Sequence, residues 1–171
     1  MNETPKIYVA DLAAYNSGFL HGVWIEVTDD KDALWDAVNA MLANSPIENS
    51  EEFAIHDYEG FGEYPVREYQ SLEHILEIAA FIKAFPETGD ALLCLFNDDI
   101  EQAQNTMEND YCGCYDDAAD FAQELTEETT VIPQNIAYYI DYERMANDIE
   151  MNGDIITFKA SNGGVHIFWN H

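Results

Sequence analysis

Glu52-Phe53-Ala54-Ile55-His56-Asp57-Tyr58-Glu59-Gly60-Phe61-Gly62 holds a strand and its termination in one short run. Phe53, Ile55 and Asp57 alternate with Ala54, His56 and Tyr58, the period of two expected of a β-strand. Gly60-Phe61-Gly62 then breaks the pattern, and a domain boundary is placed there. Upstream, Ile7–Leu12 is a β-rich run closed by the turn signal Asn16-Ser17-Gly18, and Gly22–Val27 is a second. Thr28 or Asp29 is placed to cap a helix over 31–43, where Leu34, Val38, Met41 and Leu42 recur at helical spacing. Asn44-Ser45-Pro46 ends it. Residues 1–61 therefore read as a mixed α/β domain.

Downstream of the break the period changes. Ser71 is a helix cap, followed by Leu72, Ile75, Leu76, Ala79 and Ile82 on one face; Pro86 and Gly89 interrupt. Further helices are expected over 91–96 and 100–107. Residues 62–107 show no strand pattern, and a unit of that size buries little alone. From Glu108, Cys112-Gly113-Cys114 reads as a loop or short strand. A helix is expected over 115–127, burying Ala118, Phe121, Ala122 and Leu125. Pro133 opens another, running to Ile149 through Ile136, Tyr139, Ile140 and Ala146, and Asn152-Gly153 stops it. Ile155–Lys159 and Val165–Trp169 flank Ser161-Asn162-Gly163-Gly164, a β-hairpin signal. The expected fold class is α+β: an elongated chain of three small domains, 1–61, 62–107 and 108–171, the last expected to dimerise.

The charge is as informative as the pattern. The chain has 171 residues, 34 Asp plus Glu against 6 Lys plus Arg, and a formal net charge of −28. Disordered acidic chains are poor in aromatics, but this one holds 10 Tyr, 9 Phe and 3 Trp, so it should fold. Residues 1–60, 61–110 and 111–171 each carry an excess of nine or ten acids. The whole body is anionic rather than a neutral domain with an acidic tail. That argues against nucleic acid or an anionic membrane as direct partner and in favour of a basic protein. No run of about 18 apolar residues marks a membrane span. Met1-Asn2-Glu3-Thr4-Pro5-Lys6 lacks the basic start and apolar core of a signal peptide, so a cytoplasmic location is expected. Cys94, Cys112 and Cys114 are too few for a disulfide framework.

Within the helix expected over 115–127, Asp116, Asp120, Glu124, Glu127 and Glu128 lie opposite the apolar face. Over ~18 Å that is one charge per ~3.6 Å, close to the ~3.4 Å of one DNA strand. Asp116/Asp120 and Asp120/Glu124 are like-charge i,i+4 pairs, each destabilising by ~0.2–0.5 kcal/mol. Between Lys83 and Arg144 lie 15 acids and no base, whereas a net charge of ~2–8 suffices to keep a small domain in solution. The acids expected to meet a partner are Asp29, Asp30, Asp32 and Asp36 around the first helix; Asp98, Asp99, Glu101, Glu108 and Asp110; and Asp116, Asp117, Asp120, Glu124, Glu127 and Glu128. A dimer would carry −56, the charge of ~28 base pairs of duplex. Tyr111, Tyr115, Tyr138 and Tyr142 are the residues expected at its interface. Charge alone does not separate a polyanion mimic from a halophile-type acidic surface, or from an acidic module for another basic protein.

Catalytic and metal patterns are weak. Cys112-x-Cys114 lacks the second ligand pair that zinc requires, and buried free thiols are the better reading. His56-Asp57 resembles part of a metal-phosphohydrolase site, but in a strand the two side chains point to opposite faces. Asn97-Asp98-Asp99-Ile100-Glu101 lacks the glycine of a calcium loop. There is no phosphate loop, nucleophile elbow or dinucleotide fingerprint. No enzyme activity, cofactor or metal is expected. An acidic, metal-dependent enzyme is the alternative in which a carboxylate pair among the 34 acids does chemistry.

Several segments, in order, resemble the ArdA antirestriction proteins. Ile7–Leu12, Tyr15-Asn16-x-Gly18 and Gly22-x-Trp24 resemble the opening of that family, and Glu52–Phe61 is similar to its central signature. Tyr139-Ile140-Asp141-Tyr142-Glu143 with Ala146-x-Asp148-Ile149 resembles its C-terminal helix. The likeness runs from about Lys6 to about Trp169, loosest over 64–108. It implies a protein of mobile genetic elements acting inside a bacterium, an elongated three-part homodimer that mimics bent B-form DNA. The partner implied is a Type I restriction-modification enzyme, its DNA-binding groove occupied and its restriction, sometimes its methylation, blocked. It implies no catalytic residue, and makes His56-Asp57-Tyr58 a structural signature.

Overall fold

The computed structural model describes residues 3–171. Among these residues it is α+β, with eight helices and two three-stranded antiparallel sheets. It divides into two compact units, one running to Ile100 and the other Glu101–His171.

In the first unit β1 (Lys6–Asp11) lies between β2 (Gly22–Glu26) and β3 (Phe53–Glu59). Ile7 pairs with Ile25 and Tyr58, and Val9 with Val23 and Ile55. Period-two alternation thus sends Ile7, Val9, Ile25 and Ile55 into the core. There they join Leu34, Val38 and Met41 of α2 (Lys31–Ala43). Each such side chain contributes ~1.5–3 kcal/mol by leaving water. Alternation along β3 is not strict. The register shifts between Tyr8, opposite Asp57, and Val9, opposite Ile55, so His56 is the extra residue of a bulge.

Two local expectations change. The run read as strand through Leu12 turns into a short helix, α1 (Leu12–Asn16), because the Asp11 carboxylate accepts the N–H of Ala14 at 3.0 Å. The cap of α2 is Asp30 rather than Thr28 or Asp29: Asp30 Oδ1 accepts the Ala33 N–H at 2.9 Å. Thr28 Oγ1 instead accepts the N–H of Asp30 itself at 3.3 Å.

Helix α3 (Leu72–Ala84) starts at the expected cap, Ser71, whose hydroxyl accepts the His74 N–H at 3.2 Å. It buries Leu72, Ile75, Ile78, Ala79, Phe81 and Ile82, and α4 (Gly89–Leu95) buries Leu92 and Leu93. Over 62–107 the described residues form no strand. The helices expected as a middle domain fall on both units: α3 and α4 in the first, α5 (Ile100–Asn109) almost wholly in the second.

The second unit is built on the sheet β4-β6-β5, formed by β4 (Tyr111–Tyr115), β5 (Ile155–Lys159) and β6 (Val165–Trp169). The β5–β6 hairpin is the one the sequence indicates, with Gly163 at φ +91° and the Gly164 N–H donating to Asn162 Oδ1 at 2.9 Å. Phe121, Ile155 and Ile167 form its core, with Tyr115, Leu125 and Trp169 packed against them. Phe121 belongs to α6 (Ala118–Thr129), which begins three residues later than expected because Asp117 Oδ1 accepts the Asp120 N–H at 3.0 Å. The single helix expected from Pro133 to Ile149 is two, α7 (Gln134–Ala137) and α8 (Tyr142–Met151). The break occurs because Asp141 Oδ1 accepts the Arg144 N–H at 3.0 Å and starts a new helix. Of Ile136, Tyr139, Ile140 and Ala146, the face expected to pack, only Ala146 is buried.

Candidate functional site

Thirty of the 34 acids are exposed; Asp11, Asp90, Asp98 and Asp110 are the others. Of the fifteen acids expected to meet a partner, thirteen are exposed, and Asp98 and Asp110 are half-buried. Both of these have a nitrogen-bearing side chain close by within their own unit. Arg67 Nη2 stands 2.9 Å from Asp98 and His171 Nε2 stands 3.5 Å from Asp110. Of the six Lys and Arg, Lys6, Lys31, Arg67 and Lys83 lie within 4.0 Å of a carboxylate.

Folding alone accounts for some of the acids. Asp30 caps α2 and Asp32 sits in its first turn; Asp117 caps α6 and Asp120 sits in its first turn. Negative charge at a helix N-terminus is stabilising by ~0.3–1 kcal/mol, because unsatisfied N–H groups converge there. Asp29 lies 3.7 Å from Lys83 Nζ, an exposed pair of little energetic weight.

In their charge the remaining acids of α6 oppose the helix, although Gln123 Nε2 donates to Glu127 Oε1 at 2.8 Å. Glu124, Glu127 and Glu128 lie toward its C-terminal end, where the helix dipole is negative and where the last turn holds no base. Asp120/Glu124 and Glu124/Glu128 are like-charge i,i+4 neighbours. Asp116 falls before the helix, so α6 itself carries four acids along ~18 Å, one per ~4.5 Å, or one per ~3.9 Å with its Asp117 cap. Opposite them Phe121 and Ala122 are buried. On α5, Glu101 and Glu108 are exposed, and Gln104 Nε2 donates to Glu108 Oε1. Asp148 and Glu150, exposed acids outside the expected set, lie on α8, which packs against α6. Their signal in the sequence was the same excess of acid over base.

One carboxylate–phenol contact is specific. Tyr115 Oη donates to Glu124 Oε1 at 3.1 Å. Burial, then the hydrogen bond and charge of Glu124, push the Tyr115 pKa up to about 12. Tyr111 is tied into the sheet by a 2.9 Å hydrogen bond between its Oη and His166 Nδ1 and by ring contact with Phe168. Tyr138 is 92% exposed and Tyr142 half-buried. Both line a shallow groove of about 760 Å³ with Glu127, Glu128, Val131 and Ile132.

Nothing in the residue pattern singles out Asp11. It is fully buried at the end of β1, where it accepts the Ala14 N–H and, at 2.5 Å, the Ser50 hydroxyl. Burial pushes its pKa up, but the hydroxyls of Ser45 and Ser50 and the amides of Ala14 and Ala13 outweigh burial and hold it below the usual range. All three cysteines are free thiols, but not the buried ones expected: Cys94 and Cys114 are exposed and Cys112 is half-buried. No group of three or more His, Cys, Asp or Glu among the described residues is placed to hold a metal ion. No described helix is long and apolar enough to cross a membrane.

On both units these side chains form an exposed anionic surface. A family model described as antirestriction protein (ArdA) matches residues 7–163 of the 171. No curated protein matches the chain. With more than nine-tenths of its length aligned to that model, the chain belongs to the ArdA family of antirestriction proteins.

Proposed function

We propose that this chain is a DNA mimic, competing with DNA for the binding groove of Type I restriction-modification enzymes and so inhibiting them. The observation that carries the reading is the placement of Glu127 and Glu128, exposed acids in the last helical turn where negative charge is unfavourable, with exposed Glu124 between two like-charge i,i+4 neighbours. Membership of an antirestriction family supplies the partner class. Affinity arises as enzyme Lys and Arg exchange phosphate oxygens for carboxylates, so it is distributed over many acids and falls steeply with salt. A homodimer, with the C-terminal tyrosines at or near its interface, and a three-part division of the chain belong to the same proposal. So does action inside the bacterial cell.

The test is the variant Glu124→Gln/Glu127→Gln/Glu128→Gln. Removing like-charge repulsion and the adverse dipole contact should stabilise it to heat, while its inhibition of DNA cleavage by a Type I enzyme weakens. Unchanged inhibition in a folded triple variant would remove α6 from the mimic surface. A single neutralisation that abolished inhibition would contradict a distributed mimic.

A further inference from the structure

The acids described above are not the only surface suited to a cation. On the sheet of the first unit, the face opposite Ile7, Val9 and Ile25 carries Tyr8 and Trp24 side by side, directly paired across β1 and β2. Their ring centroids are 5.6 Å apart, with the planes tilted at 52°. Gly22 is what makes room for this pair. A Cβ there would stand 2.7 Å from Tyr8 Oη and 2.5 Å from the Val9 carbonyl oxygen, so the Tyr8 ring lies across β2 where any side chain would displace it. Trp24 remains 43% exposed. On the other side of β1, Asp57 is the residue opposite Tyr8, and it is exposed. The next row along the sheet is Glu26–Lys6–Glu59, one base between two exposed acids.

We propose that this aromatic pair and Asp57 form a docking platform for an arginine side chain of the protein partner. A guanidinium stacks on an indole or phenol face and pairs with a carboxylate in the same plane, which a tetrahedral ammonium does not do. Charge complementarity selects this occupant. A second copy of the chain brings a net −28 and only two Arg, and a nucleic acid or acidic peptide is repelled. An apolar partner would bury the Asp57 carboxylate without a counter-ion. The role is distinct from that of the helix acids. Those match phosphate charge, whereas this platform discriminates arginine from lysine. The proposal rests on the reading that the partner is a basic protein, but not on which enzyme it is.

Hexa-arginine and hexa-lysine peptides, titrated into the full-length protein and followed by NMR of the tryptophan indole N–H groups, provide the test. Hexa-arginine should bind about two- to fivefold tighter and shift the Trp24 indole selectively, with the resonance assigned through Trp24→Phe. In Trp24→Leu the arginine preference should fall to near unity while general, salt-sensitive binding of both peptides persists. Asp57→Asn, which leaves the rings in place, should reduce the preference partly, and covers the case in which Trp24→Leu fails to fold. Equal binding of the two peptides by the unmodified protein would overturn the proposal, as would a preference untouched by Asp57→Asn and unaccompanied by a Trp24 shift. If the protein failed to inhibit a Type I enzyme yet kept the Trp24-dependent preference, the proposed function would fall and the platform would stand.

Discussion

Asp11 and Tyr115 show how single ionisable groups are set by what touches them. Four hydrogen-bond donors hold the buried Asp11 carboxylate below its ordinary pKa against the opposing effect of burial. A group whose folded pKa is depressed contributes stability above its unfolded pKa and loses it as pH falls through the folded one. Asp11→Ala should therefore cost about 1–3 kcal/mol at neutral pH, and the difference from the unmodified protein should shrink below about pH 4. Urea denaturation at pH 7 and pH 3 measures both. Tyr115 is the opposite case, a neutral phenol favoured by burial and by its carboxylate neighbour. Its contribution is complete below the unfolded pKa near 10 and is lost as pH rises toward the folded value of about 12. In Glu124→Gln its ionisation, followed by NMR of the tyrosine ring carbons, should move down yet stay above the ordinary tyrosine value, because burial remains. No movement would remove Glu124 as a cause.

The start of α6 is decided by one carboxylate, and neighbouring aspartates separate two possible starts. Asp117→Ala should cost ~1 kcal/mol, because its cap to Asp120 is lost. Asp116→Ala, outside the helix, should stay within ~0.5 kcal/mol. Equal losses in thermal or denaturant unfolding would contradict the cap. The same contrast explains what sequence could show. The α2 and α3 helices and the β5–β6 hairpin have long apolar periods or an Asn-Gly turn, so local signals agree with the packing. The α1 helix and the break between α7 and α8 depend on Asp11 and Asp141 choosing to cap, and those aspartates look like any others in so acidic a chain. The His56 bulge likewise depends on pairing with β1 and leaves no mark on the alternation itself. For the site, composition showed that the surface is anionic. Only the helix bounds separate acids at helix starts, such as Asp30 and Asp117, from Glu127 and Glu128 in a last turn.

Across the whole molecule, a net charge of −28 makes folding and binding respond to salt in opposite directions. Gly60 and Gly62, at φ +78° and +61°, form the turn that the sequence indicates. Yet Phe61 and Tyr64 are buried, the Ile55 N–H donates to the Glu68 carbonyl at 2.9 Å, and contacts group the chain to Ile100 in one unit. Self-repulsion across either unit is screened as salt rises, so the melting temperature should climb between 0.05 and 1 M NaCl, roughly the range over which the Debye length falls from above 10 Å to about 3 Å. A falling melting temperature would show that short-range ion pairs outweigh repulsion. Binding to a basic groove should weaken over the same range. The most direct measurement is cleavage of unmodified DNA by a Type I restriction enzyme, with the protein titrated in at low and high salt. Inhibition near one-to-one with enzyme binding sites is expected at low salt, competitive with DNA and relieved by salt. Absence of inhibition at any salt by the folded protein, or inhibition indifferent to salt, would contradict a DNA mimic.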